Sequence, residues 1–118
     1  TIAKNCTAGK IVVDKSTVPV GTSRKIGALI EKISGQKVAV VSNPEFLREG
    51  SAVKDFLEPD RVVIGSDDEK ATKTMIEIYK PLGCEILVTI PESSELIKYA
   101  SNAFLATKIS FINEVANL

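Results

Sequence analysis

The sequence predicts an α/β fold, in which helices pack on the faces of a sheet that is mainly parallel. Strand-like and helical patterns alternate four times along the 118 residues, with short connections between them. Residues 38–41 are apolar at every position, which is typical of a strand buried on both faces of a parallel sheet. Residues 92–118 contain neither glycine nor proline, and they indicate one long helix after the sheet.

Short apolar runs predict the strands of this sheet, at residues 11–15, 38–41, 61–65 and 85–89. A helix follows the first strand, and either Thr22 or Ser23 could cap its amino end through a side-chain oxygen. Its apolar residues recur with helical spacing and form one stripe, made of Ile26, Leu29, Ile30 and Ile33. Gly35 is placed to end this helix, because glycine readily adopts the left-handed conformation of a helix terminus.

Two further helices are predicted between the remaining strands. Residues 51–57 predict a short amphipathic helix, which Pro59 stops. Ser66 followed by Glu69 has the form of a capping box, and it predicts the start of a helix that ends near Pro81. The apolar stripe of that helix consists of Ala71, Met75, Ile78 and Tyr79.

The last helix, at roughly 27 residues, would be about 40 Å long at a rise of about 1.5 Å per residue. A wide apolar band runs along it, formed by Leu96, Ile97, Ala100, Ala103, Phe104, Thr107, Phe111, Ile112 and Val115. Such a band needs a partner beyond one small sheet, so a linking or dimer-forming helix is expected. The chain begins without methionine and ends with this pattern still running, so we interpret it as an internal piece of a longer protein.

The composition argues against several classes of function. Fifteen basic and fifteen acidic residues balance, so no basic surface indicates a nucleic acid or membrane partner. The sequence shows no signal peptide and no apolar run of about 18 residues, which predicts a cytoplasmic protein. It contains no histidine, so a zinc site is not expected. Cys6 and Cys84 are expected to be free thiols in a reducing compartment.

Charged residues follow the second predicted strand directly. The carboxyl ends of strands are where open α/β sheets bind their ligands, and Pro44 ends this strand. Glu45, Arg48 and Glu49 come next. If residues 45–49 form a helical turn, the two carboxylates share one face. The alternative is a solvated charged turn, and the spacing alone leaves both open.

A second polar group lies on the long helix. Glu95, Lys98 and Asn102 fall on one side of it at helical spacing. Lys98 and Asn102 are four residues apart, so they can direct an ammonium and an amide at a single oxygen atom. An isolated pair of this kind is more often part of a surface polar stripe, and that alternative also stays open.

Three stretches together resemble a known family, namely residues 15–22 (KSTVPVGT), 42–65 (SNPEFLREGSAVKDFLEPDRVVIG) and 93–118 (SSELIKYASNAFLATKISFINEVANL). In order and spacing they resemble the UDP-glucose/GDP-mannose dehydrogenase family over essentially the whole chain. The resemblance implies that residues 1–91 form the C-terminal part of a Rossmann-like NAD-binding domain. Residues 92–118 would then be the start of a long central helix that links domains and forms a homodimer.

The activity that the resemblance implies is an NAD-dependent oxidation of a nucleotide sugar. The C6 alcohol of UDP-glucose would be oxidised to the aldehyde and then, through a covalent cysteine thioester, to the carboxylate of UDP-glucuronate. Glu45 would serve the acid/base work of thioester hydrolysis. Lys98 would bind the C6 oxygen and stabilise the charge that develops on it, with Asn102 as its hydrogen-bonding companion.

Matching positions in the motifs imply the remaining roles. The implied cofactor-binding residues are Ser16, Thr17, Val18 and Glu49. The implied substrate-binding residues are Glu45, Phe46, Leu47, Arg48, Glu49, Lys98 and Asn102. The implied catalytic residues are Thr17, Glu45, Lys98 and Asn102.

Three parts of the family pattern are absent from this sequence. It has no GxGxxG turn for the cofactor pyrophosphate, and neither Cys6 nor Cys84 lies in the glycine-rich context of the family's catalytic cysteine. A second nucleotide-binding domain is absent as well. We therefore expect a chain that carries several site residues but cannot complete the reaction alone.

Two alternatives remain open at this point. The same chemistry could act on GDP-mannose or UDP-N-acetylmannosamine instead of UDP-glucose. An alternative of a different class is a non-catalytic dimerisation module, in which residues 92–118 are the working part.

Overall fold

The computed structural model of the chain describes residues 2–7, 9–48 and 50–118. In chain order the elements are α1 (Ile2–Asn5), β1 (Ile11–Asp14), α2 (Thr22–Ser34), β2 (Ala39–Ser42), α3 (Ala52–Leu57), β3 (Arg61–Gly65), α4 (Glu69–Tyr79), β4 (Glu85–Thr89) and α5 (Pro91–Ala116). A short 3₁₀ turn, Lys80–Leu82, connects α4 to β4. The predicted α/β fold is confirmed, with each predicted strand and helix present within a few residues of its expected bounds.

The four strands form one sheet in the order β1-β2-β3-β4. β1 and β2 are parallel, and so are β3 and β4. β2 and β3 are antiparallel and pair through Ser42 and Gly65, the last residue of each strand. The sheet is therefore mainly parallel, as predicted, with one antiparallel pairing at its centre. Just past this pair, the Asn43 Nδ2 donates to the Val63 carbonyl at 2.8 Å, so residue 43 also lies beside β3.

Helices cover both faces of the sheet. On one face α4 packs against β2 and β3, and the buried core there consists of Val41, Val62, Ile64, Ala71, Met75 and Tyr79. On the other face lies α2, where a β-carbon added to Gly27 would be 3.6 Å from Val40 Cγ2. Val40 and Val41 point to opposite faces because successive side chains alternate along a strand. The apolar run of β2 is thus explained by a helix on each face.

The ends of α2 and α4 confirm one predicted helix terminus and correct two predicted amino-terminal caps. Gly35 ends α2 in the left-handed conformation, with φ 68°, as predicted. The predicted cap at the start of α2 is wrong, because Gly21 is the capping residue and the Ser23 hydroxyl donates to Glu95 instead. The predicted Ser66 cap of α4 is also wrong. Asp68 is the cap, since its carboxylate accepts a hydrogen bond from the Ala71 amide at 2.7 Å.

The first turn of α5 packs directly on the end of β3. A β-carbon at Gly65 would lie 2.5 Å from Ser94 Cβ and 2.9 Å from Pro91 Cα, so only glycine fits at this strand end. The Ser42 hydroxyl donates to Ser94 Oγ at 3.0 Å and joins β2 to the same turn. These contacts place the amino-terminal part of α5 beside the carboxyl ends of the two central strands.

The rest of α5 extends away from the sheet. Every residue from Ala100 onward is exposed, including the apolar ones, so the sheet leaves this part of the predicted apolar band uncovered. Across the described residues, we find no helix with the length and apolarity needed to cross a membrane.

Candidate functional site

A cavity of about 330 Å³ lies where the chain leaves β1 and β2. Its walls come from the segment after β2, from α3, from the amino end of β3 and from α5. The predicted substrate residues on its wall are Glu45, Phe46, Leu47 and Arg48, and α5 contributes Ile97 and Ser101. The carboxyl-end position matches that of ligand sites in other open α/β sheets.

The segment that carries Glu45 is irregular rather than helical. Residues 45–48 have no helical turn, so the predicted face shared by two carboxylates is not formed by this part of the segment. Asn43, two residues before Glu45, is buried and its Nδ2 donates to the Val63 carbonyl at 2.8 Å, which holds the start of this segment against β3. Glu45 is exposed at the cavity wall. Glu49, predicted to bind both cofactor and substrate, lies outside the described residues.

Arg48 anchors this segment to α3. Its guanidinium donates to both carboxylate oxygens of Asp55, at 2.6 and 3.1 Å, and its backbone amide donates to the same carboxylate at 2.9 Å. These hydrogen bonds hold the pKa of Asp55 well below its usual range, because they favour the charged form. Arg48 was predicted to bind substrate. In this structure its guanidinium is engaged with Asp55, and it shapes the cavity wall.

Lys98 reaches this segment from α5. Its Nζ lies 4.9 Å from the centre of the Phe46 ring, a distance at which an ammonium is attracted to the aromatic face. The structure thus brings two of the predicted substrate residues into contact. Lys98 is half-buried, whereas Asn102 is exposed one turn further along α5.

A cation at this position can stabilise negative charge that develops on a ligand oxygen. A carboxylate such as that of Glu45 can take up a proton from a hydroxyl or a water molecule within hydrogen-bond reach. Glu45 thus supplies a proton acceptor on the cavity wall, and Lys98, which is not itself on that wall, supplies a charge-stabilising group against Phe46. That pair of functions suits the oxidation of an alcohol or the hydrolysis of an acyl group.

Sequence reasoning missed a polar network at the back of the cavity. The Lys15 Nζ donates to Asn43 Oδ1 and to the Tyr79 hydroxyl, each at 3.0 Å, and the Tyr79 hydroxyl donates to Asn43 Oδ1 at 2.5 Å. The network fixes the residues that follow β1 and β2 against α4. The only signal in the sequence was the position of Lys15 and Asn43 directly after two predicted strands, since nothing locally indicated Tyr79.

The predicted cofactor residues lie apart from the cavity wall. Ser16 and Thr17 are exposed and Val18 is half-buried, in the loop that leaves the carboxyl end of β1. The Ser16 amide donates to Asp14 Oδ1 at 3.0 Å, which turns the loop at this point. Two exposed hydroxyls at a strand end fit the polar groups of a dinucleotide such as NAD. The sequence has no glycine-rich turn for the pyrophosphate, so these residues fit only part of that cofactor.

Glu95 is buried, and so it is not part of a surface polar stripe. It is 2% exposed, and its carboxylate accepts hydrogen bonds from the Gly21 amide and from the amide and hydroxyl of Ser23. Spacing alone placed Glu95 on the same side as Lys98 but gave no indication of burial. The partners are more than seventy residues earlier in the chain, beyond the reach of any local pattern.

Comparison with protein families gives two matches that together span most of the chain. Residues 1–83 match the UDP-glucose/GDP-mannose dehydrogenase family, NAD binding domain. Residues 92–118 match the central domain of the same family. Among individual relatives, UDP-glucose 6-dehydrogenase YwqF of Bacillus subtilis is 54% identical over 119 residues, which is 99% of this chain and 27% of the relative.

Solved structures show the same similarity in three dimensions. A UDP-glucose dehydrogenase from the hyperthermophilic archaeon Pyrobaculum islandicum superposes with a TM-score of 0.90 at 49% identity, over 96% of this chain and 27% of that one. A GDP-mannose dehydrogenase from Pseudomonas aeruginosa gives a TM-score of 0.88 at 39% identity, with the same coverage of both chains. The chain thus spans about a quarter of the length of the relatives that it matches.

Proposed function

Because the chain belongs to the UDP-glucose/GDP-mannose dehydrogenase family, we propose that it forms part of the active site of an NAD-dependent UDP-glucose 6-dehydrogenase. The observation that carries this proposal is the contact of Lys98, on α5, with Phe46, which lines the cavity beside Glu45. The match to the NAD-binding domain of the family confirms the predicted family and its cofactor.

In the proposed reaction Lys98 acts on the C6 oxygen of the sugar. The hydroxyl proton leaves as the hydride leaves C6, so negative charge develops on that oxygen. A half-buried ammonium beside the cavity stabilises this charge more than it stabilises the neutral alcohol. NAD, when bound, supplies the acceptor for the hydride. Ser16, Thr17 and Val18 are proposed to hold it through the loop after β1.

Glu45 is proposed to serve the second half of the reaction. A cysteine outside these 118 residues would hold the sugar as a thioester after the second oxidation. Water then forms a carbon–oxygen bond at the carbonyl, the carbon–sulfur bond breaks, the sulfur leaves as thiolate, and Glu45 takes the proton from water. The exposed position of Glu45 at the cavity wall supports this role, since a general base must reach water. Asn102 is proposed to assist at the C6 oxygen.

The choice of UDP-glucose rests on the relatives. A relative named UDP-glucose 6-dehydrogenase is 54% identical, whereas the GDP-mannose dehydrogenase structure is 39% identical. GDP-mannose and UDP-N-acetylmannosamine remain the alternative sugars. The proposed roles of Glu45, Lys98 and Asn102 all concern the C6 position. They therefore do not distinguish one nucleotide base or one sugar epimer from another.

The test of this proposal uses the full-length protein that carries these residues. We expect it to reduce NAD with UDP-glucose and to turn over GDP-mannose and UDP-N-acetylmannosamine far more slowly, as measured by absorbance of the reduced cofactor. The 118-residue chain alone serves as control, and we expect no turnover from it, because it has neither the glycine-rich turn nor the cysteine context. Steady turnover by the pure chain, or a preference for another sugar, would contradict the proposal.

We also propose that α5 forms a homodimer interface and that residues 92–118 are the start of a central helix, separate from the NAD-binding residues 1–91. The exposed apolar band supports this, since Phe104 and Phe111 are each 67% exposed. Replacing both with glutamate should convert a dimer to a monomer in sedimentation velocity. The control is Ile78→Glu, which changes an exposed apolar residue of α4 and should leave the dimer intact. A dimer that survives the double substitution would place the interface elsewhere.

A cytoplasmic location remains part of the proposal. Cys6 and Cys84 are both free thiols in the structure, which is the state that a reducing compartment maintains.

A further inference from the structure

The buried carboxylate of Glu95 joins two parts of the chain that carry predicted site residues. Its Oε2 accepts a hydrogen bond from the Gly21 amide at 2.6 Å. Its Oε1 accepts from the amide and from the hydroxyl of Ser23, both at 2.8 Å. One side chain of α5 therefore ties down the turn at the start of α2.

This contact is specific for a carboxylate. A buried charge is costly unless its oxygens are hydrogen-bonded, and here three donors satisfy them. Two of the donors are backbone amides at the amino end of α2, where the helix dipole favours negative charge. Gly21 is the capping residue of α2 and has no side chain, so Glu95 caps that helix from α5. A glutamine in place of Glu95 would direct its side-chain NH₂ group at one of these donors, so that two donors would face each other.

The two ends of this contact lie close in sequence to predicted reacting groups. Gly21 comes four residues after Thr17 in the loop that leaves β1, and Glu95 comes three residues before Lys98 on the same face of α5. We propose that Glu95 is a positioning residue, which holds the Thr17 loop at a fixed distance from Lys98. The proposal rests on the proposed function, because that function gives Thr17 and Lys98 their roles.

The expected effect follows from the geometry of hydride transfer. The C6 atom held by Lys98 and the cofactor held by the Thr17 loop must meet within a narrow distance, and a misplacement of about 1 Å can cost roughly 10²-fold in rate. Glu95 bonds to the turn of α2, and the proposal gives it no contact with either ligand. Its loss should therefore lower kcat and leave the binding of nucleotide sugar nearly unchanged.

The experiment is Glu95→Gln in the full-length protein that carries these residues. We expect kcat to fall at least about tenfold. The Kd of UDP-glucose, measured by calorimetry, should stay within about threefold of the wild type, the range of ordinary surface substitutions. Hydrogen exchange at the Gly21 and Ser23 amides should become faster, because their acceptor is weakened. This last measurement does not depend on catalysis.

Glu92→Gln is the matched control. Glu92 also joins α5 to α2, through a hydrogen bond of 2.7 Å from Arg24 Nε, but at an exposed position, where ion pairs contribute little. We expect its kcat to stay within about twofold of the wild type. Equal losses of kcat in the two variants, or a kcat within about threefold of the wild type for Glu95→Gln, would overturn the proposal. A wild-type protein that oxidises no nucleotide sugar would instead contradict the proposed function, while the exchange of the two amides still tests the contact.

Ser23→Ala keeps the test decisive if Glu95→Gln does not fold. It removes only the hydroxyl donor and leaves both amide donors in place. We expect a smaller loss in the same direction, of roughly two- to fivefold in kcat, with an unchanged Kd for UDP-glucose. A kcat equal to that of the wild type in this variant would overturn the proposal.

Discussion

Replacing Lys98 with alanine in the full-length protein is expected to lower kcat by roughly 10²- to 10³-fold, the scale measured for the loss of one oxyanion donor. The reason is that, in the proposed reaction, the ammonium interacts more strongly with the developing alkoxide than with the neutral alcohol. Binding of the nucleotide sugar should change far less, because other parts of the ligand contribute most of its contacts. Steady-state kinetics and calorimetry on the same variant separate the two effects.

Two companion variants sharpen this prediction. Lys98→Arg should rescue poorly, because a planar guanidinium does not replace the compact point charge of an ammonium at the C6 oxygen in a close-packed site. Lys108→Ala is the matched control, since Lys108 lies on the same helix with its Nζ 5.6 Å from the Phe104 ring centre but remains exposed. Lys108→Ala should turn over normally. If Lys98→Ala also kept kcat within about threefold of the wild type, Lys98 would be an ordinary surface lysine.

Replacing Glu45 with glutamine is expected to separate the two halves of the reaction. The amide keeps the shape of the side chain but does not accept a proton at neutral pH, so hydrolysis of the thioester should slow by roughly 10²- to 10⁴-fold. The first hydride transfer should be affected much less. The covalent adduct should then accumulate, and intact-mass measurement of the full-length protein after mixing with UDP-glucose and NAD would detect it.

The control for this variant is Glu58→Gln, which alters another exposed carboxylate on the wall of the same cavity. It should show no adduct and near-normal turnover. Loss of the first hydride transfer in Glu45→Gln, without an adduct, would assign Glu45 a role in binding or in the first oxidation instead.

Local patterns were sufficient to predict the elements of this fold. The bounds of β3 and β4 agree with the structure, and Gly35 ends α2 as expected, because strand composition and a left-handed helix terminus depend on adjacent residues. The caps of α2 and α4 were predicted wrongly, because each expected capping side chain has a different hydrogen-bond partner. Ser23 has its partner on α5, and Ser66 accepts a hydrogen bond from the Asp68 amide within its own turn, which leaves Asp68 to cap the helix.

The sequence indicated which segments carry the candidate site residues, but it gave neither their burial nor their contacts. The position of Glu45 after a buried strand and the spacing of Lys98 and Asn102 indicated two segments that the Lys98–Phe46 contact brings together. Burial and partners required the three-dimensional structure, because Glu95 meets residues more than seventy positions away and Tyr79 joins Lys15 across sixty-four. The resemblance to a family supplied the roles, which the residues by themselves left open.

The antiparallel meeting of β2 and β3 also determines how the site is held together. The sheet consists of two parallel strand pairs, and the continuous ladder of backbone hydrogen bonds within each pair is interrupted between them. The Thr17 loop and Glu45 belong to the first pair, whereas α5 with Lys98 continues from the second. The seam is crossed by the Ser42–Gly65 pairing, by core packing, and by side-chain contacts that include those of Asn43, Ser94 and Glu95. The spacing of the proposed catalytic groups therefore depends on side-chain contacts across this seam rather than on a continuous backbone ladder.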